Sequence, residues 1–307
     1  MDVLTKEVVL DAGVDRRFVL PDGSQSETQH AVQIPEKPLL KIRSRQASPT
    51  LDLRSLWAYR ELLYFLIWRD VKVRYKQTVL GVAWAILQPL IMIVIYSVLF
   101  GRIVGLPSDG IPYPLFAYAG VAAWSFFAGA LGKSGQSLVG SAHLITKIYF
   151  PRMLIPAAPV CAAVIDLFFA FVVFVPLMFY YGIVPGWQVV MVLPLLLLLI
   201  LLALGAGMWT SALNVKYRDV GFALPFLIQV WMFLSPVIYP SSALPPKFRV
   251  LMMFNPVTGI IEGFRSALFR LPFNWRAILI SCVITFPLLV GAVFWFRRVE
   301  REFADVI

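Results

Sequence analysis

Six apolar stretches occupy most of the chain beyond residue 78: residues 79–100, 114–131, 153–181, 187–213, 220–239 and 277–296. Each is near or above the roughly 20 residues that a helix needs to cross the hydrocarbon core of a bilayer. Within that core a chain must satisfy its own backbone N–H and C=O groups, which favours helices. The expected fold is an all-α integral membrane protein with six transmembrane helices. Composition agrees: 60% of the 307 residues are hydrophobic and 14% are charged, against roughly 25% charged in soluble domains. Pro156, Pro159 and Pro176 lie in the third stretch, where they predict kinks.

Orientation follows from the basic residues. If both termini are cytoplasmic, thirteen Lys and Arg residues fall at or near the inner segments and six on the outer ones. Positive charge concentrates on the cytoplasmic side, so the expected topology is N-in, C-in. The net charge of +10 is then explained by anionic lipid, and no nucleic-acid partner is expected.

Three segments stand apart from the spans. Residues 1–50 balance seven basic against seven acidic side chains and read as a mostly flexible cytoplasmic extension, with a short hairpin as the structured alternative. They contain no apolar stretch of the signal-peptide type, so no cleaved leader is expected. Residues 51–78 mix Trp57, Tyr64, Trp68 and Tyr75 with Arg69, Lys72, Arg74 and Lys76 at helical spacing. This pattern fits an amphipathic helix in the membrane interface or one packed on a soluble partner. Residues 241–272 are too polar to cross and too apolar to float in water. Asn255 followed by Pro256 predicts an N-cap with proline at the first helical position. Two short helices follow, either re-entrant from the outer leaflet or lying as a surface hairpin.

Catalytic chemistry is sparse. Of 17 acidic residues, only Asp109, Asp166, Asp219 and Glu262 lie between the interface helix and the C-terminal tail. No paired carboxylates, metal-ligand cluster or nucleophile with its base emerges. Cys161 and Cys282 fall inside apolar stretches and read as buried thiols, without metal-site or disulfide spacing. His30 and His143 are far apart in sequence. The segment "GALGKSGQS" (129–137) contains Gly132-Lys133-Ser134, the triplet in which a nucleotide-binding P-loop ends. Phe127 stands where that loop needs its first glycine, and no buried strand precedes it. The nucleotide-binding reading therefore fails, leaving a small, polar, basic loop between two spans.

Asp166 lies inside the third span, where an ionised carboxylate must face protein or water. No basic residue lies within another span, so Ser97, Trp209, Thr210 and Ser211 are its expected partners. An ion or proton site and a structural hydrogen bond are both compatible with it. Two spans also carry aromatic stripes. Trp84, Gln88, Met92, Tyr96 and Phe100 share one face of the first; Phe222, Phe226, Gln229 and Phe233 share one face of the fifth. Aromatic planes with occasional amides suit sugar rings. Helix packing is the alternative.

The stretches "RDVKVRYKQTVLGVAWAILQPL" (69–90), "SAHLITKIYFPRMLIP" (141–156), "LNVKYRDV" (213–220), "WMFLSPVIYP" (231–240), "NPVTGIIEGFR" (255–265) and "FRRVEREFADVI" (296–307) resemble the membrane subunit of ABC exporters for lipid-linked polysaccharides. That family serves O-antigen, capsule and wall teichoic acid export. The resemblance covers the chain from about residue 55 onward. It implies a homodimer in the bacterial inner membrane, each subunit docked to one of two ATP-binding cassette ATPase subunits. ATP and Mg would be bound by those partners, with no cofactor in this chain. It implies a coupling helix at about 134–148, with Leu138, Val139, His143, Ile145, Lys147, Ile148 and Tyr149 engaging the ATPase. It implies a substrate on polyprenyl diphosphate, for which Arg69, Lys72, Arg74 and Lys76 are candidate ligands; anchoring on anionic lipid is their other role. Trp84, Gln88, Tyr96, Phe100, Phe222, Phe226, Gln229 and Phe233 become candidate channel-lining residues. An exporter of another amphiphile, such as a drug or glycolipid, is the nearest alternative. A membrane glycan-processing enzyme or scaffold would need loop acid pairs that the sequence lacks.

Overall fold

A computed structural model describes residues 57–76, 83–148 and 150–300. The N-terminal extension, Gly81 and Tyr149 lie outside the described residues, as does the C-terminal tail from residue 301. Ten α-helices occur among the described residues, and no strand. They are α1 (Arg60–Tyr75), α2 (Ala83–Tyr96), α3 (Tyr113–Gly140), α4 (Ala142–Lys147), α5 (Leu154–Tyr180), α6 (Val192–Lys216), α7 (Asp219–Phe233), α8 (Pro246–Met253), α9 (Pro256–Phe269) and α10 (Trp275–Val299). A π-helical stretch, Ser97–Ile103, extends α2, and a 3-10 turn, Trp187–Met191, leads into α6.

Among the described residues, four helices are long and apolar enough to cross a membrane: α3, α5, α10 and α6 with its leading turn. The other two expected spans are shorter apolar helices, Leu87–Ile103 and Asp219–Phe233. Helix α7 stops at Phe233, ahead of Pro236, and residues 234–240 fold back as an irregular segment. The residue before a proline disfavours the helical conformation, so the apolar run to Tyr239 is longer than its helix. The second expected span errs the other way. Helix α3 continues nine residues past Leu131, to Gly140.

Helix α3 is the centre of the bundle. It packs on α2, α5, α6, α7 and α9, and 67% of its most apolar stretch is buried, against 28–39% in the other three long helices. Small residues permit this closeness, as is usual between membrane helices. A methyl group on Gly120 would lie 2.2 Å from the Val237 carbonyl oxygen, and one on Gly207 of α6 would lie 2.3 Å from Ser134 Oγ. The Ser134 hydroxyl donates to the Pro156 carbonyl (2.8 Å), and Asn214 of α6 donates to the Gly135 carbonyl (3.0 Å). The Gly132-Lys133-Ser134 triplet is therefore part of a continuous helix, not a loop, and its serine is a packing contact.

Apolar packing forms three clusters along the bundle. A middle one joins α3, α5, α6, α7 and α9 through residues such as Phe127, Leu199, Leu202 and Phe264. One end gathers Leu66 of α1, Leu138 of α3, Ile145 of α4, Phe150, Met208 of α6 and Phe296 of α10. The other end gathers Ile93 of α2, Tyr113 and Phe116 of α3, Phe174 and Met178 of α5 and Leu268 of α9. The outward faces of α5 and α10 read as lipid-facing: Phe168, Val172, Val175 and Phe179 on one, Leu279, Val283, Phe286, Val290 and Phe294 on the other.

Candidate functional site

The amphipathic segment forms α1, which lies along α5. Leu66 is its buried residue, while Trp57, Tyr64, Phe65 and Trp68 are exposed. The cations divide. Arg69 pairs with its neighbour Asp70 at 2.8 Å, and Lys72 sits 5.4 Å above the Trp68 ring. Lys76 ends the helix, exposed. Arg74 is different: it forms an ion pair with Asp166 of α5, and the Tyr75 hydroxyl donates to the same carboxylate. Burial pushes the Arg74 guanidinium below its usual range, with Tyr75 and Asp70 opposing.

This corrects the partners expected for Asp166. Trp209 donates instead to the Leu288 carbonyl of α10 (3.2 Å) and stacks on Trp295. Thr210 and Ser211 bond back to carbonyls of their own helix, and Ser97 makes no bond to Asp166. The cation that pairs with Asp166 comes from a helix outside the apolar spans, so the spans alone do not reveal it. Helix α1 brings it alongside α5.

The segment after α3 also differs from expectation. No helix starts at Ser134; α3 runs through to Gly140, breaks at Ser141 and resumes as the six-residue α4. Leu138 and Ile145 are buried inside the chain, so neither is free to grip a partner. Val139, His143, Lys147 and Ile148 are exposed there. The loop that follows is tied to the end of α10. The Arg152 backbone N–H donates to Glu300 Oε1 at 3.0 Å, and its guanidinium donates to the Glu300 carbonyl. Burial raises the Glu300 carboxyl above its usual range; Arg152 acts the other way.

Of the aromatic stripes, the one on α7 stands wholly outside the subunit core: Phe222 is 86% exposed, Phe226 66% and Phe233 56%, with Gln229 exposed beside them. On α2, Gln88 and Met92 are exposed. Tyr96 and Phe100 are half-buried, 5.8 Å apart, and pack on the chain's own core. The side chain of Trp84 lies outside the described residues.

Two polar hubs escaped the sequence reading. Asn255 caps α9 as expected, accepting from the Val257 N–H at 3.1 Å. It also accepts from Trp231 of α7 (3.0 Å) and donates to the Leu234 carbonyl and Ser235 Oγ. Arg265, expected on an outer surface, is 3% exposed. Its guanidinium lies 3.6 Å from the centre of the Phe116 ring and donates to the carbonyls of Phe116, Pro236 (2.7 Å) and Val237 (2.6 Å). Half of the signal was visible: Gly120 and Arg265 are the residue types such a socket needs, but their meeting depends on the fold.

The geometry is thus a helical membrane bundle with exposed aromatic faces and no metal-ligand group among the described residues. Residues 61–269 match the family model for the ABC-2 type transporter. The chain belongs to the ABC-2 type transporter family. It is similar to the O-antigen export system permease protein RfbA of Myxococcus xanthus, 29% identical over 83% of this chain and 98% of that protein. A Klebsiella pneumoniae O-antigen export system permease protein RfbA is 27% identical, over 80% of this chain and 95% of that one. The polysialic acid transport protein KpsM of Escherichia coli is 24% identical over 66% of this chain and 79% of its own length. This ABC-2 member is a multi-pass membrane transport protein, not an enzyme. Its match begins at Glu61, within α1, so that helix is part of the shared domain.

Proposed function

We propose that this chain is the membrane subunit of a bacterial inner-membrane exporter that moves polysaccharide linked to a polyprenyl diphosphate out of the cytoplasm. Two copies pair, each docked to an ATPase subunit that holds ATP and Mg. Helices α2, α3, α5, α6, α7 and α10 make the six spans, with both termini inside, and α8 with α9 forms a re-entrant hairpin on the outer side. Similarity over 80–83% of this chain to permeases named for O-antigen export supports the substrate class.

The observation that carries the reading is the α7 face of Phe222, Phe226, Gln229 and Phe233, exposed from the subunit although it belongs to an apolar helix with a glutamine on it. An amide is costly against lipid, and planar rings hold sugar faces loosely enough to let them slide. Pairing two subunits through α2 and α7 would place these faces around a shared passage. The test is co-purification with the neighbouring ATPase, followed by ATP hydrolysis in nanodiscs with and without polyprenyl-diphosphate-linked glycan. Stimulation by the glycan lipid is expected. A complex equally active with and without it would refute the substrate class, and a monomeric subunit in that complex would refute the shared passage.

A further inference from the structure

The exposed face of α3 is chemically unlike that of its neighbours. Where α5 and α10 present Phe, Leu and Val outward, the exposed residues of α3 are Ser125, Lys133, Gln136, Val139 and Gly140. Ser125, Gly129, Lys133, Gln136 and Gly140 follow one another at steps of four, four, three and four, which is one side of a helix. A side chain built on Gly129 would meet no atom within 4 Å. One flank of this seam is α7: Gly132 faces Ile228 at 3.8 Å. The other is the end of α1, which brings Arg74 and Asp70 within electrostatic range of Lys133.

Of the cations in this corner, Lys133 is the one that lies on α3 itself; Lys76, at the end of α1, is also exposed without an ion pair among the described residues. Arg74 is matched by Asp166 and Arg69 by Asp70. Lys133 has no ion pair or hydrogen bond among the described residues, and neither has Gln136 or Ser125. A lysine on a spanning helix faces a cavity, water or a partner charge, since lipid would be costly. A polar seam with an uncommitted cation at its middle and an open glycine one turn away is built for an anionic head followed by a hydroxylated chain.

We infer that Lys133 binds the diphosphate of the lipid-linked substrate, and that Gly129 and Ser125 beyond it form the start of the glycan path. The inference rests on the polysaccharide-export reading and gives that reading an entry site. The ammonium supplies the charge-assisted contact to a phosphate oxygen. The Gln136 amide and Ser125 hydroxyl are free to bond sugar hydroxyls. The absent side chain at Gly129 leaves the width.

The assembled complex, reconstituted with its ATPase in phosphatidylcholine nanodiscs, is titrated with polyprenyl diphosphate, polyprenyl monophosphate and free inorganic diphosphate. Loss of one charge-assisted bond predicts that Lys133→Gln raises the half-saturating concentration of polyprenyl diphosphate for ATPase stimulation about tenfold or more, with Lys133→Arg restoring much of it. Free diphosphate should not substitute for the lipid-borne form. A Lys133→Gln complex that titrates like the parent overturns the inference while leaving export intact. A parent complex that ignores polyprenyl diphosphate, though its ATPase is active, overturns the export reading and this site with it.

Accessibility supplies an arm independent of stimulation. In a background lacking Cys161 and Cys282, Ser125→Cys and Gln136→Cys should react with water-soluble maleimides and be protected by polyprenyl-diphosphate-linked glycan. Reaction with membrane-soluble reagents alone would make the seam a lipid face. High-yield cross-linking between two copies would make it a subunit contact. Either result overturns the proposal.

Discussion

Arg265 shows what one side chain can hold. It reaches carbonyls on α3 and on the segment after α7, so three parts of the chain share one cation. Replacing it with methionine keeps much of the volume but leaves three buried carbonyls without their donor. Hydrogen bonds to charged groups contribute about 1.5–3 kcal/mol each, so Arg265→Met should lower stability by about 3 kcal/mol or more. Arg265→Lys should rescue little, because an ammonium lacks the planar fork. Thermal unfolding in detergent measures both, and a parent-like midpoint for Arg265→Met would contradict the assignment. Glu300 gives the pH-dependent counterpart. Its folded carboxyl is raised by burial, so its ionised form is disfavoured in the fold. That cost is absent where the group is protonated in both states and appears as pH rises through the carboxylate range. Glu300→Gln should therefore be neutral or stabilising at pH 7, and any gain should vanish toward pH 4. Unfolding midpoints of both proteins across that range provide the check.

Among the elements, the break at Ser141 decides what each coupling residue can do. Ile145 is 6% exposed and Ile148 55%. Ile145→Asp places an unpaired charge in the cluster with Leu66 and Phe296, which predicts poor membrane assembly. Ile148→Asp and Val139→Asp alter only the surface; both should assemble normally, and glycan export should fall where the ATPase docks there. Fluorescence-detected gel filtration separates assembly from export. Sequence made the elements legible and their contacts much less so. Apolar length announced the helices, and Asn255 with Pro256 announced the start of α9 to the residue. The ends of α3 and α7 were misjudged because hydropathy ignores where a helix stops. Leu138 and Ile145 were expected to engage the ATPase but are buried in the chain's own core, because helical spacing does not show which surface an apolar side chain meets. The Arg74–Asp166 pair spans 92 positions of sequence, and only the packing of α1 on α5 reveals it.

For the whole molecule, the contrast between faces is the main result. Lipid-like residues cover α5 and α10, aromatic residues stand out on α7, and polar and small ones cover α3. The α5 and α10 faces suit hydrocarbon, and so do the α7 rings themselves; Gln229 among those rings and the polar residues of α3 do not. Introducing tryptophan at Gly129 tests this division. The site has open space around it, so the variant should express and associate with its ATPase, while glycan export, followed by surface polysaccharide, should drop sharply. Parent-like export from Gly129→Trp would place the passage elsewhere.

The Arg265 socket also bears on how such a chain is made. Its acceptors, at Phe116, Pro236 and Val237, all precede the arginine in the sequence. Synthesis therefore completes the receptacle before the plug leaves the ribosome. A buried arginine without those carbonyls would be left unpaired at a large cost, so the seating of α9 depends on α3 and the segment after α7 being in place. The order of synthesis thus matches the order of dependence: α9 is seated by contacts that earlier segments supply.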